Sequence, residues 1–155
     1  TITRIEKETF FNFFSLKNIK IPNNVTYIGQ NAFFYCKHLN EIVIPNSVTT
    51  IDTCAFFNCR GLVKITLSNK LETISNSAFL NCIELTSITI PASVKTIEDD
   101  AFLRCYKLQK VVLPKTLKEI KANAFNDTDL KSVIISSKTK FDKNAFPSSC
   151  TVIKQ

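Results

Sequence analysis

The sequence repeats itself with a period of 23 residues, and this period restricts the fold more than any other feature. The dipeptide Ala-Phe recurs at this spacing, starting at Ala32, Ala55, Ala78, Ala101 and Ala124. Thr9-Phe10 comes one period earlier, and Ala145-Phe146 follows after a shortened step of 21 residues. Because one such unit cannot bury its own apolar side chains, neighbouring units must stack and share a core. The period therefore predicts a solenoid.

Other columns of the repeat keep the same period and predict two extended segments in each unit. Residues 39–44 read Leu-x-x-Ile-x-Ile, an alternation typical of a short strand with every second side chain buried. Pro45 cannot donate to a strand ladder, so it marks the end of that strand. The pair Val48/Ile51 follows, and we interpret it as an extended segment that returns along the opposite wall.

A short polar residue precedes the alanine in most units. The column contains Asn31, Ser77, Asp100, Asn123 and Asn144, and Cys54 departs from it. Side chains of this kind accept hydrogen bonds from free backbone N–H groups at the start of a helix. We therefore predict a helical turn over each Ala-Phe-x-x-Cys segment.

The phenylalanines that follow the alanine column define the predicted core. Burying one large aromatic side chain contributes roughly 1.5–3 kcal/mol. The column contains Phe10, Phe33, Phe56, Phe79, Phe102, Phe125 and Phe146. The chain is expected to be a single domain over residues 1–155, with atypical first and last units as caps. Phe13 replaces the usual cysteine at one end, and Phe141, Pro147 and Cys150 interrupt the pattern at the other.

The complete unit resembles the 23-residue leucine-rich repeat of BspA-like surface proteins, also called the Treponema pallidum-type leucine-rich repeat. The matching positions are Leu39, Ile42, Ile44, Pro45, Ser47, Val48, Ile51, Ala55, Phe56 and Cys59. About six units match, which is nearly the whole chain. Three departures affect local geometry: Ser68 replaces a proline, Thr128 replaces a cysteine, and one residue is lost before Leu130.

This resemblance implies both a fold and a class of function. The fold would be an α/β leucine-rich-repeat solenoid, mainly β, with a parallel concave sheet and short helical or extended convex segments. The function would be adhesion or protein recognition without catalysis, because family members are commonly surface proteins of oral bacteria and protozoan parasites. Some of them bind host matrix proteins.

We expect a protein partner to bind the outward side of the concave sheet. The residues that alternate with the core columns there are Asn18, Lys20, Glu41, Val43, Lys64, Thr66, Ser87, Thr89, Lys110, Val112, Ser132 and Ile134. Val43, Val112 and Ile134 favour binding, because a solvated face does not need exposed apolar side chains. The alternative is a sheet face that only contacts water.

The residue after each core phenylalanine forms a further column. Its members are Phe11, Phe34, Phe57, Leu80, Leu103 and Asn126. If these side chains point outward, they form an apolar ridge suited to self-association or to a partner helix. If they point inward, they thicken the core, and this is the interpretation we favour.

The net charge of +7 belongs entirely to the last third of the chain. Residues 104–155 hold eleven basic and four acidic side chains, whereas residues 1–103 hold nine of each. The basic residues are Arg104, Lys107, Lys110, Lys115, Lys118, Lys121, Lys131, Lys138, Lys140, Lys143 and Lys154. Such an end suits an acidic glycan or another polyanion. Nucleic acid is disfavoured, because binding it also needs exposed aromatic side chains and here only Tyr106 is spare.

The cysteines indicate neither a metal site nor a disulfide framework. Cys36, Cys59, Cys82 and Cys105 occupy one column, and a spacing of 23 residues fits neither zinc pairs nor compact disulfides. We predict buried free thiols at these four positions. The redox state of Cys54 and Cys150 is left open.

No motif indicates catalysis or a cofactor. His38 is the only histidine, and Asp99 and Asp100 are explained as helix caps. Asp127 and Asp129 have no recognisable catalytic partner, and no phosphate-binding or nucleophile motif appears. Two sequons, at Asn24 and Asn126, are weak indications of glycosylation.

The leading expectation is a cell-surface or secreted adhesin or antigen that binds a protein, for example a host matrix or surface protein. An intracellular scaffold with an endogenous protein partner, hence cytoplasmic, is the first alternative. Polyanion attachment through the basic units is the second. No apolar run approaches the ~18 residues of a membrane helix. The absence of methionine and of a visible secretory signal indicates a processed chain or a piece of a longer one. The oligomeric state is left open.

Overall fold

The computed structural model describes residues 2–155 as a parallel β-solenoid. Its strands have two to four residues each and pair only in parallel. They are β1 (Arg4–Ile5), β2 (Tyr27–Ile28), β3 (Glu41–Val43), β4 (Thr50–Ile51), β5 (Lys64–Thr66), β6 (Thr73–Ile74), β7 (Ser87–Thr89), β8 (Thr96–Ile97), β9 (Lys110–Val112), β10 (Glu119–Ile120), β11 (Ser132–Ile135), β12 (Lys140–Phe141) and β13 (Thr151–Lys154).

The strands belong to two walls of the solenoid. β3, β5, β7, β9, β11 and β13 form the wall that we call the front sheet, and the remaining strands form the side sheet. In both walls, most paired residues are 23 positions apart, as Ile42 and Ile65 are in front and Ile28 and Ile51 at the side. The extended return segment predicted from the Val-x-x-Ile pairs is therefore confirmed. In the first unit, residues 18–20 form no strand.

The predicted helical turns are wrong, and the fold is mainly β rather than α/β. Between residues 2 and 155 the Ala-Phe segments form turns and no helix. Asn31, Cys54, Ser77, Asp100 and Asn123 have φ values of 53–58°, in the left-handed region. An N-cap residue has extended backbone dihedrals instead. Asn and Asp adopt the left-handed conformation more readily than most residues, so the same residue types serve a turn here.

Hydrogen bonds between turns of the solenoid explain why a helix does not form. The Phe33 N–H donates to the Ala55 carbonyl at 2.7 Å, and the Tyr35 N–H donates to the Phe57 carbonyl at 2.8 Å. The intervening Phe34 N–H bonds locally to the Asn31 carbonyl at 3.1 Å. Since every second N–H is used between turns, the segment cannot build a continuous helical ladder.

The phenylalanine column forms the centre of the core. Adjacent rings lie parallel with centroids 4.9–5.4 Å apart from Phe10 to Phe146. This spacing is close to the distance between neighbouring strands, so each turn adds one ring to the stack. Phe33, Phe56, Phe79, Phe102 and Phe125 are fully buried, whereas Phe10 in the first turn is half-buried.

Candidate protein-binding face

The residues proposed for protein binding lie on the exposed side of the front sheet. In β3, β5 and β7 the central side chain is buried and the two flanking ones are exposed. All ten principal candidates are exposed: Lys20, Glu41, Val43, Lys64, Thr66, Ser87, Thr89, Lys110, Val112 and Ile134. Lys20 and its neighbour Asn18 differ from the rest because they lie outside any strand.

Apolar side chains on this face cluster at its C-terminal end. Val112 is 46% exposed, Ile134 is 52% exposed and Ile153 is 41% exposed, and they lie on the three last front strands. Ile134 and Ile153 are direct register partners. At the other end Val43 is 64% exposed and stands alone. Ile153 was missed in the sequence, because residues 151–154 read Thr-Val-Ile-Lys and do not alternate between polar and apolar side chains.

The front sheet is interrupted, and a groove lies at each interruption. Its strands pair as β3–β5, β7–β9 and β11–β13, so the ladder is broken between β5 and β7 and between β9 and β11. Grooves of about 320 Å³ and about 600 Å³ lie at these two breaks. A third groove of about 480 Å³ separates residues 18–23 from β3.

The groove between β9 and β11 reaches the core. Val111 and Leu113 form part of its wall and are only half-buried. Their counterparts one turn earlier, Ile88 and Ile90, are each 3% exposed. Lys110 and Lys115 line the same groove, and none of the lining residues within the described part of the chain is acidic.

The column after the core phenylalanines is neither a fully exposed ridge nor part of the buried core. Phe34, Phe57, Leu80, Leu103 and Asn126 are half-buried, and Phe11 is 41% exposed. The Phe11, Phe34 and Phe57 rings stack with centroids 4.9 and 4.7 Å apart. Near them, the Lys37 Nζ lies 5.0 Å from the centroid of the exposed Phe14 ring.

Four of the eleven C-terminal basic residues are held in ion pairs. Lys107 contacts Glu84 at 2.7 Å, Lys121 contacts Glu98 at 2.6 Å and Lys131 contacts Asp129 at 2.6 Å. Arg104 contacts Asp127 at 3.8 Å. Among residues 2–155 the other seven form no ion pair; they are Lys110, Lys115, Lys118, Lys138, Lys140, Lys143 and Lys154.

The four cysteines of the repeat column are buried free thiols, as predicted. Each thiol donates to the backbone carbonyl of the core phenylalanine in the preceding turn, for example Cys59 to Phe33 at 3.1 Å. Burial raises the pKa of Cys36 to about 11 and that of Cys105 to about 12. The thiols therefore stay protonated at neutral pH. Cys54 and Cys150 are also free and are half-buried.

The acidic residues considered in the sequence serve structural contacts. Asp100 does not cap a helix; it is one of the left-handed turn residues, and its Oδ1 accepts a hydrogen bond from Asn123 Nδ2 at 3.1 Å. The neighbouring Asp99 Oδ1 accepts the Ala122 N–H at 3.0 Å. Hydrogen bonds from Lys131 and Gln109 hold the pKa of Asp129 below its usual value. His38 is exposed.

The described part of the chain lacks two features of other functional classes. Residues 2–155 bring no three His, Cys, Asp or Glu side chains together in a metal-binding arrangement. The same residues contain no helix long and apolar enough to cross a membrane.

Comparisons with known proteins agree on one repeat family. The family model of the BspA type leucine rich repeat region matches six copies, over residues 1–53 and 29–153. None of the curated proteins matches the chain significantly.

Several solved structures share the fold. A leucine-rich repeat protein from Bacteroides ovatus is 31% identical with a TM-score of 0.84, covering 90% of this chain and 37% of its own. A leucine rich cell surface protein from Faecalibacterium prausnitzii is 29% identical with a TM-score of 0.83, over 99% of this chain and 44% of its own. The Treponema pallidum leucine rich repeat protein is 27% identical with a TM-score of 0.81, covering 99% of this chain and 67% of its own. The chain thus spans less than half the length of the first two.

Proposed function

Because the chain belongs to the BspA-type leucine-rich repeat family, we propose that it is a non-enzymatic protein-recognition module of a cell-surface adhesin or antigen. The front sheet presents the binding face. The partner is a protein, and host matrix or surface proteins are the first class to test.

The observation that carries this proposal is the apolar cluster on the front sheet. Val112, Ile134 and Ile153 stay exposed on three successive front strands, whereas the Val133 and Ile135 side chains on either side of Ile134 are buried. Monomeric soluble proteins seldom expose contiguous apolar side chains without a binding role. Solenoid repeats characteristically use such broad sheet surfaces for partners.

The proposed location is supported by one structural relative. The Faecalibacterium prausnitzii protein is described as a leucine rich cell surface protein, and it aligns with 99% of this chain. The location is tested by labelling intact source cells with an antibody, before and after mild external protease. Labelling that protease abolishes supports a surface module. Labelling only after permeabilisation contradicts it and favours the intracellular scaffold.

The binding face is tested by mutation of its exposed apolar residues. Immobilised host matrix proteins are screened against the wild-type protein and against a variant carrying Val43→Ser, Val112→Ser and Ile134→Ser. The matched control is Val63→Ser, because Val63 is 42% exposed and is not one of the outward residues of the front sheet. We expect the triple variant to lose binding and the control to keep it. Equal binding by all three proteins would place the contact elsewhere.

Polyanion attachment is a second candidate, favoured by the seven basic side chains without an ion pair. Lys138, Lys140 and Lys143 are exposed near the last turn. Neutralising these three with serine should lower the salt concentration that elutes the protein from heparin resin. Retention that is already absent at low salt contradicts this candidate.

A further inference from the structure

The break between β9 and β11 coincides with a local change in the sequence. The repeat loses one residue before Leu130, so the next front strand starts 22 residues after its predecessor instead of 23. Neither β9 nor β11 hydrogen-bonds to the other, although each pairs normally on its opposite edge. The front wall also opens between β5 and β7, where the period is intact, but the shortened unit coincides with the larger of these two openings.

This opening exposes apolar core to the binding face. The groove has a volume of about 600 Å³, within the range of ligand sites. Its apolar wall includes Val111 and Leu113, which the intact repeats would bury. The exposed side chains of Val112 and Ile134 flank it, so the groove opens onto the front face.

Charge and access to the core together distinguish this groove from the other two. Lys110 and Lys115 line it without an acidic neighbour in the lining, and within residues 2–155 neither lysine is in an ion pair. The groove beside β3 contains Glu41 as well as Lys20. The groove between β5 and β7 contains Lys64 and no acidic side chain, but it is about half as large, with about 320 Å³, and its Ile65 and Leu67 are buried. Among these three grooves of residues 2–155, the β9–β11 groove alone combines a partly exposed core with uncompensated positive charge.

We propose that this groove binds an acidic, apolar peptide segment of the protein partner: a large aliphatic or aromatic side chain enters between β9 and β11, and flanking carboxylates meet Lys110 and Lys115. This inference rests on the proposed function of the front sheet and names the site within it. An open groove suits one side chain of a larger partner, because a free small ligand is usually buried over most of its surface. The apolar contact supplies affinity, and the charges select acidic sequences.

The test uses a defined peptide and methyl NMR of the whole chain. The probe is the acetylated, amidated hexapeptide Gly-Glu-Leu-Glu-Leu-Gly. One matched peptide replaces both Glu with Ser, and another replaces both Leu with Ser. We expect saturable shifts of the Val111, Leu113 and Ile135 methyl groups with the first peptide, and at least tenfold weaker binding of the other two. The proposal is overturned if either replacement leaves the affinity of the peptide unchanged, or if the signals of these methyl groups do not shift.

Protein variants provide the second arm. Two double variants are each expected to lower the affinity for the probe peptide at least tenfold. One carries Lys110→Glu with Lys115→Glu, and the other carries Val112→Ser with Ile134→Ser. The matched controls, Lys70→Glu and Val63→Ser, change exposed residues outside the groove and should bind as wild type does. Equal affinity of groove variants and controls overturns the assignment.

Two further outcomes separate this inference from the proposed function. A matrix protein whose binding is lost in Val43→Ser but kept in both groove variants supports the front sheet as a binding face and overturns the groove as its peptide site. The second outcome uses sodium octanoate. If octanoate shifts the same methyl signals and the peptide does not, the groove binds a small amphiphile, and the peptide assignment is overturned.

Discussion

The outer surface of the solenoid is held together differently in its first and its later turns. In the first three turns, Phe11, Phe34 and Phe57 stack with centroids 4.9 and 4.7 Å apart. In the later turns, three ion pairs join neighbouring turns on this surface. The pairs are Glu84–Lys107 at 2.7 Å, Glu98–Lys121 at 2.6 Å and Arg104–Asp127 at 3.8 Å. Each contact in both groups joins residues 23 positions apart.

This difference shows which parts of the repeat are fixed by the fold and which are free. The inner phenylalanine column continues unchanged through both regions, because each ring must fill the same place in the core. Outside that column, the chain uses aromatic pairs in some turns and ion pairs in others. Aromatic stacking responds little to salt, whereas exposed ion pairs weaken as salt screens them. The contribution of these contacts to stability should therefore depend on ionic strength in the later turns and not in the first three.

The largest effect should come from the inner column that both regions share. Phe79 is fully buried and stacks on Phe56 and Phe102. Phe79→Ala should lower the free energy of unfolding by about 3–5 kcal/mol, because it leaves a cavity that the stacked turns cannot close. Urea denaturation followed by circular dichroism measures this loss. Phe11→Ala is the control, expected to cost less because Phe11 is 41% exposed. An unchanged denaturation midpoint for Phe79→Ala would contradict the assignment of the Phe79 ring to the core.

The strands and the core follow from sequence because alternation and period are direct consequences of packing. The columns of Ile42, Ile44 and Ile51 are buried in most turns, so their pattern in the sequence reports burial. The turns were misjudged because Asn31 and Asp100 belong to types that suit both a helix N-cap and a left-handed turn. A second left-handed column, with Asn58 and Asn81, was available in the sequence as the signal that decides between them.

The exposed residues of the candidate face were predictable apart from Ile153, but its grooves were not. Alternation alone placed Val112 and Ile134 outward. The lost residue before Leu130 was also visible, yet its consequence depends on how far β11 moves from β9, which is a matter of three-dimensional packing. The ion pair of Glu84 with Lys107 could have been found from its spacing of 23 residues.

The second effect concerns the thiol column, which spans both regions. Burial raises the pKa of all four column thiols above the ordinary value of 9.0. Above pH 9 the unfolded thiols ionise while the folded ones stay protonated, so stability is fully present below pH 9 and falls as pH rises toward the folded values of about 11 and 12. Each thiol contributes a slope of up to about 1.4 kcal/mol per pH unit.

Urea denaturation at pH 8, 9, 10 and 11 measures this slope. Cys105→Ala is the matched variant, because it removes one thiol from the column. The free energy of unfolding of this variant should fall less steeply with pH, by the contribution of one thiol. A slope that is identical in the variant contradicts the assignment of the alkaline loss to these groups.

The third prediction tests the aromatic region of the outer surface. Phe34 is half-buried between Phe11 and Phe57. Phe34→Ala should cost about 1–2 kcal/mol, from two lost ring contacts and the apolar area they cover. The cost should be the same in 0.05 M and 1 M NaCl, because no charge takes part. A cost that shrinks strongly in high salt contradicts stacking as the source.

The smallest effect is expected in the ionic region. Lys107 and Glu84 keep 58% and 39% of their side chains exposed, so water competes with their contact. A double-mutant cycle of Lys107→Ala and Glu84→Ala should give a coupling of about 0.2–1 kcal/mol at low salt, and most of it should vanish in 1 M NaCl. The comparison between regions depends on this contrast with Phe34. A coupling energy that stays the same in 1 M NaCl would contradict this contrast. The aromatic and the ionic contacts would then respond to salt in the same way, and the stability of the two regions would not differ in its salt dependence.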